Sequence, residues 1–198
     1  MVKKQDFIQN KQFMFFLFLA ILIILAAIFA SVITGGADPL NGNIEDALIA
    51  PCREHIFGTD KMGRDIFVRV IYGARASLTS TFGVVILIFL VGTATGVIAG
   101  YFGGVVDAVI MRIADMMVAF PGLVLALAVA GIMGSSMKNA IVAITLVSWT
   151  KYARLARSLV LKIKDRDYVS AAIVSGAKVH HMIGSYMLPN ALPTLIIT

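Results

Sequence analysis

Uncharged apolar stretches and short charged segments alternate along the whole chain. From Phe13 to Ile33, 21 residues pass without an Asp, Glu, Lys or Arg, enough helix to cross the roughly 30 Å hydrocarbon core of a bilayer. Lys3, Lys4 and Lys11 stand before it. A secretory leader would have a shorter apolar region and a small-residue cleavage site, so the pattern predicts a retained first helix with its N-terminus in the cytoplasm. Residues 34–81 turn polar, with Gly35, Gly36, Pro39, Asn41, Gly42, Asn43 and Pro51 as turn formers, and read as an external loop. Phe82 to Phe102 is a second span, running inward. Residues 103–115 make a short cytoplasmic turn, and Met116 to Met133 returns as a third span in which Pro121 predicts a kink. After an external turn at 134–139, Ala140 to Trp149 opens a fourth span that continues into KYARLARSLVLKIKDRD. Residues 191–198 begin a fifth apolar run that is too short to cross. The predicted fold class is all-α and integral to the membrane, with about four complete spans and the start of a fifth. Residues 1–81 form a tail, first helix and loop, and residues 82–198 form the core.

Asp167 to Pro193 departs from this pattern, being helix-prone yet polar enough to stay out of lipid. Val169, Ala172, Ile173 and Gly176 fall on one helical face. Gly176 interrupts that helix, and a second short one fits Lys178 to Leu188 until Pro189 removes a backbone donor. The spacing predicts two short helices joined at a glycine. A bland interhelical linker would carry the same spacing.

Composition agrees with a lipid environment, at 59% hydrophobic residues and a mean hydropathy of +0.91. The net charge of +6 comes without the aromatic and basic interleaving of a nucleic-acid binder. Its bases gather at the ends of apolar spans, with Lys151, Arg154, Arg157, Lys162, Lys164, Arg166 and Lys178 in one block assigned to the cytoplasm. Trp149 and Tyr152 read as interface anchors. Gly92, Gly96 and Gly100 recur every four residues and predict a seam where another helix approaches closely. Neighbouring charges suggest local pairs: Asp60 with Lys61, Arg64 with Asp65, and Arg112 with Asp115.

No catalytic constellation or cofactor site is predicted. The single cysteine, Cys52, leaves no disulfide framework or redox pair. His180 and His181 are adjacent, so on a helix they diverge by about 100° and do not converge on a metal. A G-x-x-x-x-G-K-[ST] phosphate loop is missing, which places any nucleotide chemistry in partners.

Two strings carry a resemblance. Ala171, Ala172, Gly176, Leu188, Pro189 and Asn190 fit the spacing of the EAA loop of ABC-importer permeases, with Ser170 where that family usually has Glu. His55, Gly58, Thr59, Asp60, Gly63, Arg64, Asp65, Arg69, Gly73, Ala74, Arg75, Ser77 and Leu78 resemble the signature of the C-type permeases of the peptide and nickel importer family. The resemblance implies a MetI-like permease fold and a loop that docks on a cytoplasmic ATPase. It implies as partners a second homologous permease, two ABC ATPases and an extracytoplasmic substrate-binding protein. Members of that family have two further spans after the EAA loop, so the chain is expected to be truncated. The alternative is a membrane scaffold that does not transport. Dipeptide, oligopeptide and nickel are not separated as substrates.

Overall fold

A computed structural model describes residues 11–197; Lys3 and Lys4, expected to hold the N-terminus in the cytoplasm, lie outside the described residues. The chain divides into two compact units, residues 1–81 and 82–198. Secondary structure among the described residues is helical, with a lone antiparallel bridge between Thr59 and Asp65.

In the first unit, α1 (Lys11–Ile28) is followed by a single turn, α2 (Ala30–Ile33), and by an irregular loop with one 3-10 turn at Ile44–Asp46. The apolar side chains of α1 stand exposed from Phe13 to Leu25, as expected of a helix whose solvent is lipid. The loop ends at Asp65, because α3 (Ile66–Phe102) begins 16 residues before the expected start of the second span at Phe82. The Asp65 carboxylate accepts the Val68 amide at 3.0 Å and satisfies a donor at the helix start, and no proline interrupts the next 37 residues. At 1.5 Å per residue α3 is about 55 Å long, against a core of about 30 Å.

In the second unit, the turn expected over 103–115 shrinks to Gly103 and Gly104, at φ +66° and +52°. The remainder of that stretch is helical, in α4 (Gly104–Ala119). The third span is likewise not one helix. Phe120 is extended, as the residue before a proline prefers, and α5 (Gly122–Met133) leaves at 95° to α4. Length and composition qualify α1 and α3 to cross a membrane, and a third span if α4 and α5 count together.

α6 (Met137–Lys164) packs against α4, α5 and the C-terminal helix. Beyond it come α7 (Asp167–Val174), the short α8 (Val179–His181), a π-helical turn at Met182–Met187 and α9 (Leu188–Ile197). Pro189 does not end the second helix of this hairpin, as its missing donor predicted. The widened turn that precedes it takes up the break in register, and α9 runs on through Pro189 and Pro193. The core joins Val97 of α3 and Ala156 and Val160 of α6 to Val169, Ala172, Met182, Met187, Ala191 and Leu195.

Candidate functional site

Three structures gather the residues singled out in the sequence. The first is the seam between α3 and α6. A Cβ placed on Gly92 would stand 2.5 Å from the Tyr152 Cβ and 2.7 Å from the Trp149 carbonyl oxygen. One on Gly96 would lie 2.7 Å from the Ala156 Cβ and collide with the Ala153 carbonyl, and one on Gly100 would lie 2.9 Å from the Val160 Cβ. These approaches are closer than van der Waals contact, so the two backbones lie together only because the side chains are absent. The Tyr152 ring packs edge-on against Phe89 of α3 at 5.9 Å. Trp149 lines an apolar cavity of about 510 Å³ with residues of α3 to α6.

Ion pairs brace the same unit. Arg157 grips Asp107 through Nε and a terminal nitrogen, both at 2.5 Å, and Arg154 reaches Asp115 at 2.8 Å. Asp115 therefore pairs across to α6 rather than with Arg112 on its own helix. Lys164 donates to the Tyr101 carbonyl at 2.9 Å. Part of the basic block is thus spent on holding α3 and α4 to α6. Single-sequence periodicity carries no signal for such pairs, whose partners lie up to 63 positions apart.

The second structure is the hairpin of α7 and the π turn. Gly176 has φ +78°, the left-handed conformation that closes a helix. The Gly176 amide donates to the Ile173 carbonyl at 3.0 Å and the Ala177 amide to the Ala172 carbonyl at 3.1 Å, satisfying the last turn of α7. Val169 and Ala172 are buried in the core, whereas Ile173, expected beside them, is exposed, as are Ser170, Ala171 and Val174. α7 is short and ends at Val174, so only its inner edge meets the core. Leu188 packs partly against that core, Pro189 is exposed, and the Asn190 side chain donates to the Tyr186 carbonyl at 2.6 Å. The Tyr168 ring stacks on Tyr186, which ties the two arms together, and His181 meets Tyr186 edge-on within the second arm.

The third is the loop of the first unit, where the signature residues bond to one another. Asp60 accepts from Arg64 Nε at 2.9 Å and from a terminal nitrogen at 2.7 Å, from Arg69, and from the amides of Met62 at 2.8 Å and Arg64 at 3.1 Å. These pairs replace the adjacent ones with Lys61 and between Arg64 and Asp65, since side chains next to each other in a turn point apart. The Arg64 guanidinium, then the Arg64 and Met62 amides, hold the Asp60 carboxyl far below the usual carboxylate range against the opposing effect of burial. Burial would raise Asp65, but the His55 ring at 2.9 Å and the Val68 and Phe67 amides outweigh it and hold it low. Thr59 is buried, donates to the Asp46 carbonyl and accepts from the Ile49 amide at 2.8 Å. Gly63 and Gly58, both at positive φ, press their α-carbons against the backbone at Asn43 and at Ile49 to Pro51. Gly73 and Arg75 lie on the open surface of α3. Gly42 and Asn43 were read in the sequence only as turn formers, and Asp46, whose carbonyl accepts from Thr59, was not singled out. Among the described residues no three His, Cys, Asp or Glu side chains converge as metal ligands.

A polytopic all-α membrane component with an exposed helical hairpin and a self-bonded loop is the class these features define. Residues 92–198 match the family model described as binding-protein-dependent transport system inner membrane component, and the chain belongs to that family. It is 42% identical over 88% of its length to a dipeptide transport system permease protein of Alkalihalophilus pseudofirmus, of which it covers 57%. It is 36% identical over 97% of its length to an oligopeptide transport system permease protein of Bacillus subtilis, covering 63%. It is also 36% identical over 81% of its length to a nickel transport system permease protein of Escherichia coli, covering 58%. The chain spans about three-fifths of the length of these relatives.

Proposed function

We propose that the chain is a transmembrane permease subunit of an ATP-driven importer that moves peptides or nickel across the cytoplasmic membrane. It is multi-pass with a cytoplasmic N-terminus, and it works with a second homologous permease, two cytoplasmic ABC ATPases and an extracytoplasmic binding protein. The observation that carries this reading is the hairpin at Asp167–Met187, whose inner edge is locked into the core while Ala171, Ile173, Val174 and Gly176 face outward. Such an element can be pushed by a partner and pass the displacement to α3, α6 and α9, whose side chains share its core. The subunit itself makes and breaks no bonds. Coupling requires only that the ATPase favour different helix arrangements in its ATP-bound and ATP-free states, with the hairpin supplying the differential contact. Family membership supports this reading over a scaffold that does not transport.

Capture of the ATPase by the detergent-solubilised chain tests it. A Cβ at Gly176 meets nothing within 4 Å, so any substitution there acts through φ +78° rather than through a clash. Gly176→Val should weaken capture and uncouple uptake without preventing membrane insertion, whereas Gly176→Asn, which tolerates that conformation, should stay near wild type. Uptake by Gly176→Val equal to wild type would refute the assignment.

A further inference from the structure

A cleft of about 460 Å³ lies between α3 and the second arm of the hairpin. Leu90, Ala94 and Ile98 of α3 form one wall, and Ile183 of the π turn with Leu188 and Leu192 of α9 forms the other. The three α3 residues are exposed, so the cleft opens along that side of the helix. Its volume falls within the range of about 300–1,000 Å³ seen for sites that hold one small molecule.

One polar side chain interrupts this hydrocarbon lining. Thr93 lines the cleft and is 6% exposed, and its hydroxyl is the one buried side-chain oxygen or nitrogen without a hydrogen-bond partner among the described residues. Thr34, Thr79, Thr95 and Thr145, by contrast, each return their hydroxyl to the carbonyl four residues back. Buried polar groups in native proteins are paired, so an orphan calls for a partner from outside the chain. Water does not meet the need, since a buried water makes about three hydrogen bonds and the other side chains of the cleft are hydrocarbon.

Depth narrows the choice of ligand. Gly92, next to Thr93, lies against Trp149 and Tyr152 of α6, the level at which Lys151 and Arg154 begin the charged half of that helix. The Thr93 hydroxyl therefore stands where hydrocarbon gives way to the polar boundary of a bilayer, the level of lipid ester carbonyls. Lys178 and His180 precede Ile183 on the arm that walls the cleft; both are exposed and take no part in the ion pairs of the described residues. We propose that the cleft is a binding site for one phospholipid. Its acyl chain lies between α3 and the hairpin arm, its ester carbonyl accepts from the Thr93 hydroxyl, and its phosphate is drawn to Lys178 and His180. Val97, Ile183 and Leu188 belong both to the cleft and to the core around the hairpin, so the bound chain props α3 against the hairpin. The site goes beyond the permease reading and does not depend on it.

The test uses the whole chain in phosphatidylcholine nanodiscs that contain a trace of phosphatidylglycerol with a diazirine midway along one acyl chain. After illumination the labelled peptides are identified by mass spectrometry. Labelling is expected to concentrate on residues 89–98 and 183–192. It should fall about fivefold in Thr93→Val, the loss of one hydrogen bond, return in Thr93→Ser, which keeps the hydroxyl, and vanish in Ala94→Phe, which fills the cleft from an exposed position. Val124→Phe on α5, outside the cleft and 62% exposed, should label as wild type. Added unlabelled phosphatidylglycerol should compete, whereas palmitate should not. Unchanged circular dichroism in Thr93→Val and Ala94→Phe separates loss of the site from loss of the fold. Labelling spread evenly over the exposed apolar faces, labelling of Thr93→Val equal to wild type, or equal competition by palmitate would overturn the phospholipid site.

Discussion

Adding one methyl group at Gly96 should separate two helices. In the folded chain an alanine Cβ at this position would stand 2.7 Å from the Ala156 Cβ and closer still to the Ala153 carbonyl. Carbon atoms pack best at about 3.5–4.0 Å, so α3 and α6 would have to part by roughly 1 Å. The neighbours offer no flexible side chain that could swing aside, because the contacts are a β-carbon and backbone. Overpacking of this kind costs about 1–3 kcal/mol, and the better helix propensity of alanine returns up to about 1 kcal/mol. The expected net loss for Gly96→Ala is about 1–2 kcal/mol. Gly83→Ala on the same helix is the control, since its Cβ would meet only the Ile141 side chain, at an ordinary 3.6 Å from Cδ1 and 4.0 Å from Cγ2, and it should be neutral or slightly stabilising. Unfolding of both variants and wild type in mixed micelles of increasing SDS, followed by circular dichroism, measures the difference. Gly96→Ala as stable as Gly83→Ala would refute the close-packed seam and the helix arrangement built on it.

Two further outcomes follow from the charged groups. Asp107→Asn removes the partner of a bidentate Arg157 and should destabilise the unit by about 1–2 kcal/mol, with partial recovery in the charge-reversed pair Asp107→Arg, Arg157→Asp; no change in the same unfolding assay would mean that the brace is not formed. Asp60 and Asp65 both have depressed folded-state pKa values. Their stabilisation is therefore present above the ordinary carboxylate range and disappears as pH falls through the folded values. Hydrogen exchange of residues 34–65 should thus show unchanged protection, corrected for the intrinsic rate, from pH 7 to about pH 5 and loss only below about pH 4; loss of protection already near pH 6 would contradict the low carboxyl values.

Much of this was legible in the order of residues alone. An uncharged run of 21 residues has few options other than a helix in lipid, and glycines repeated at intervals of four lie on one helical face in any helix. The same holds for Gly176, where a glycine between helix-prone segments marks a stop. Those features are local, and their physics acts within a turn or two of the chain. What only the tertiary structure decided depends on partners distant in sequence. Asp115 chose Arg154 over the nearer Arg112, and Tyr152 found its ring partner in Phe89, 63 positions earlier in the chain. Pro189 did not end its helix, because a widened turn before it absorbs the break in register, and α3 began early because Asp65, bonded to His55, capped it. The loop's charges were written plainly in the sequence, yet whether they faced water or each other was settled only when Asp60 gathered Arg64 and Arg69 around itself. Ile44, Leu48 and Met62 of the same loop stand exposed, which their apolar character did not foretell. Local propensity determines where helices form, whereas the choice among competing partners for a charge or a ring depends on which of them the folded backbone brings within reach.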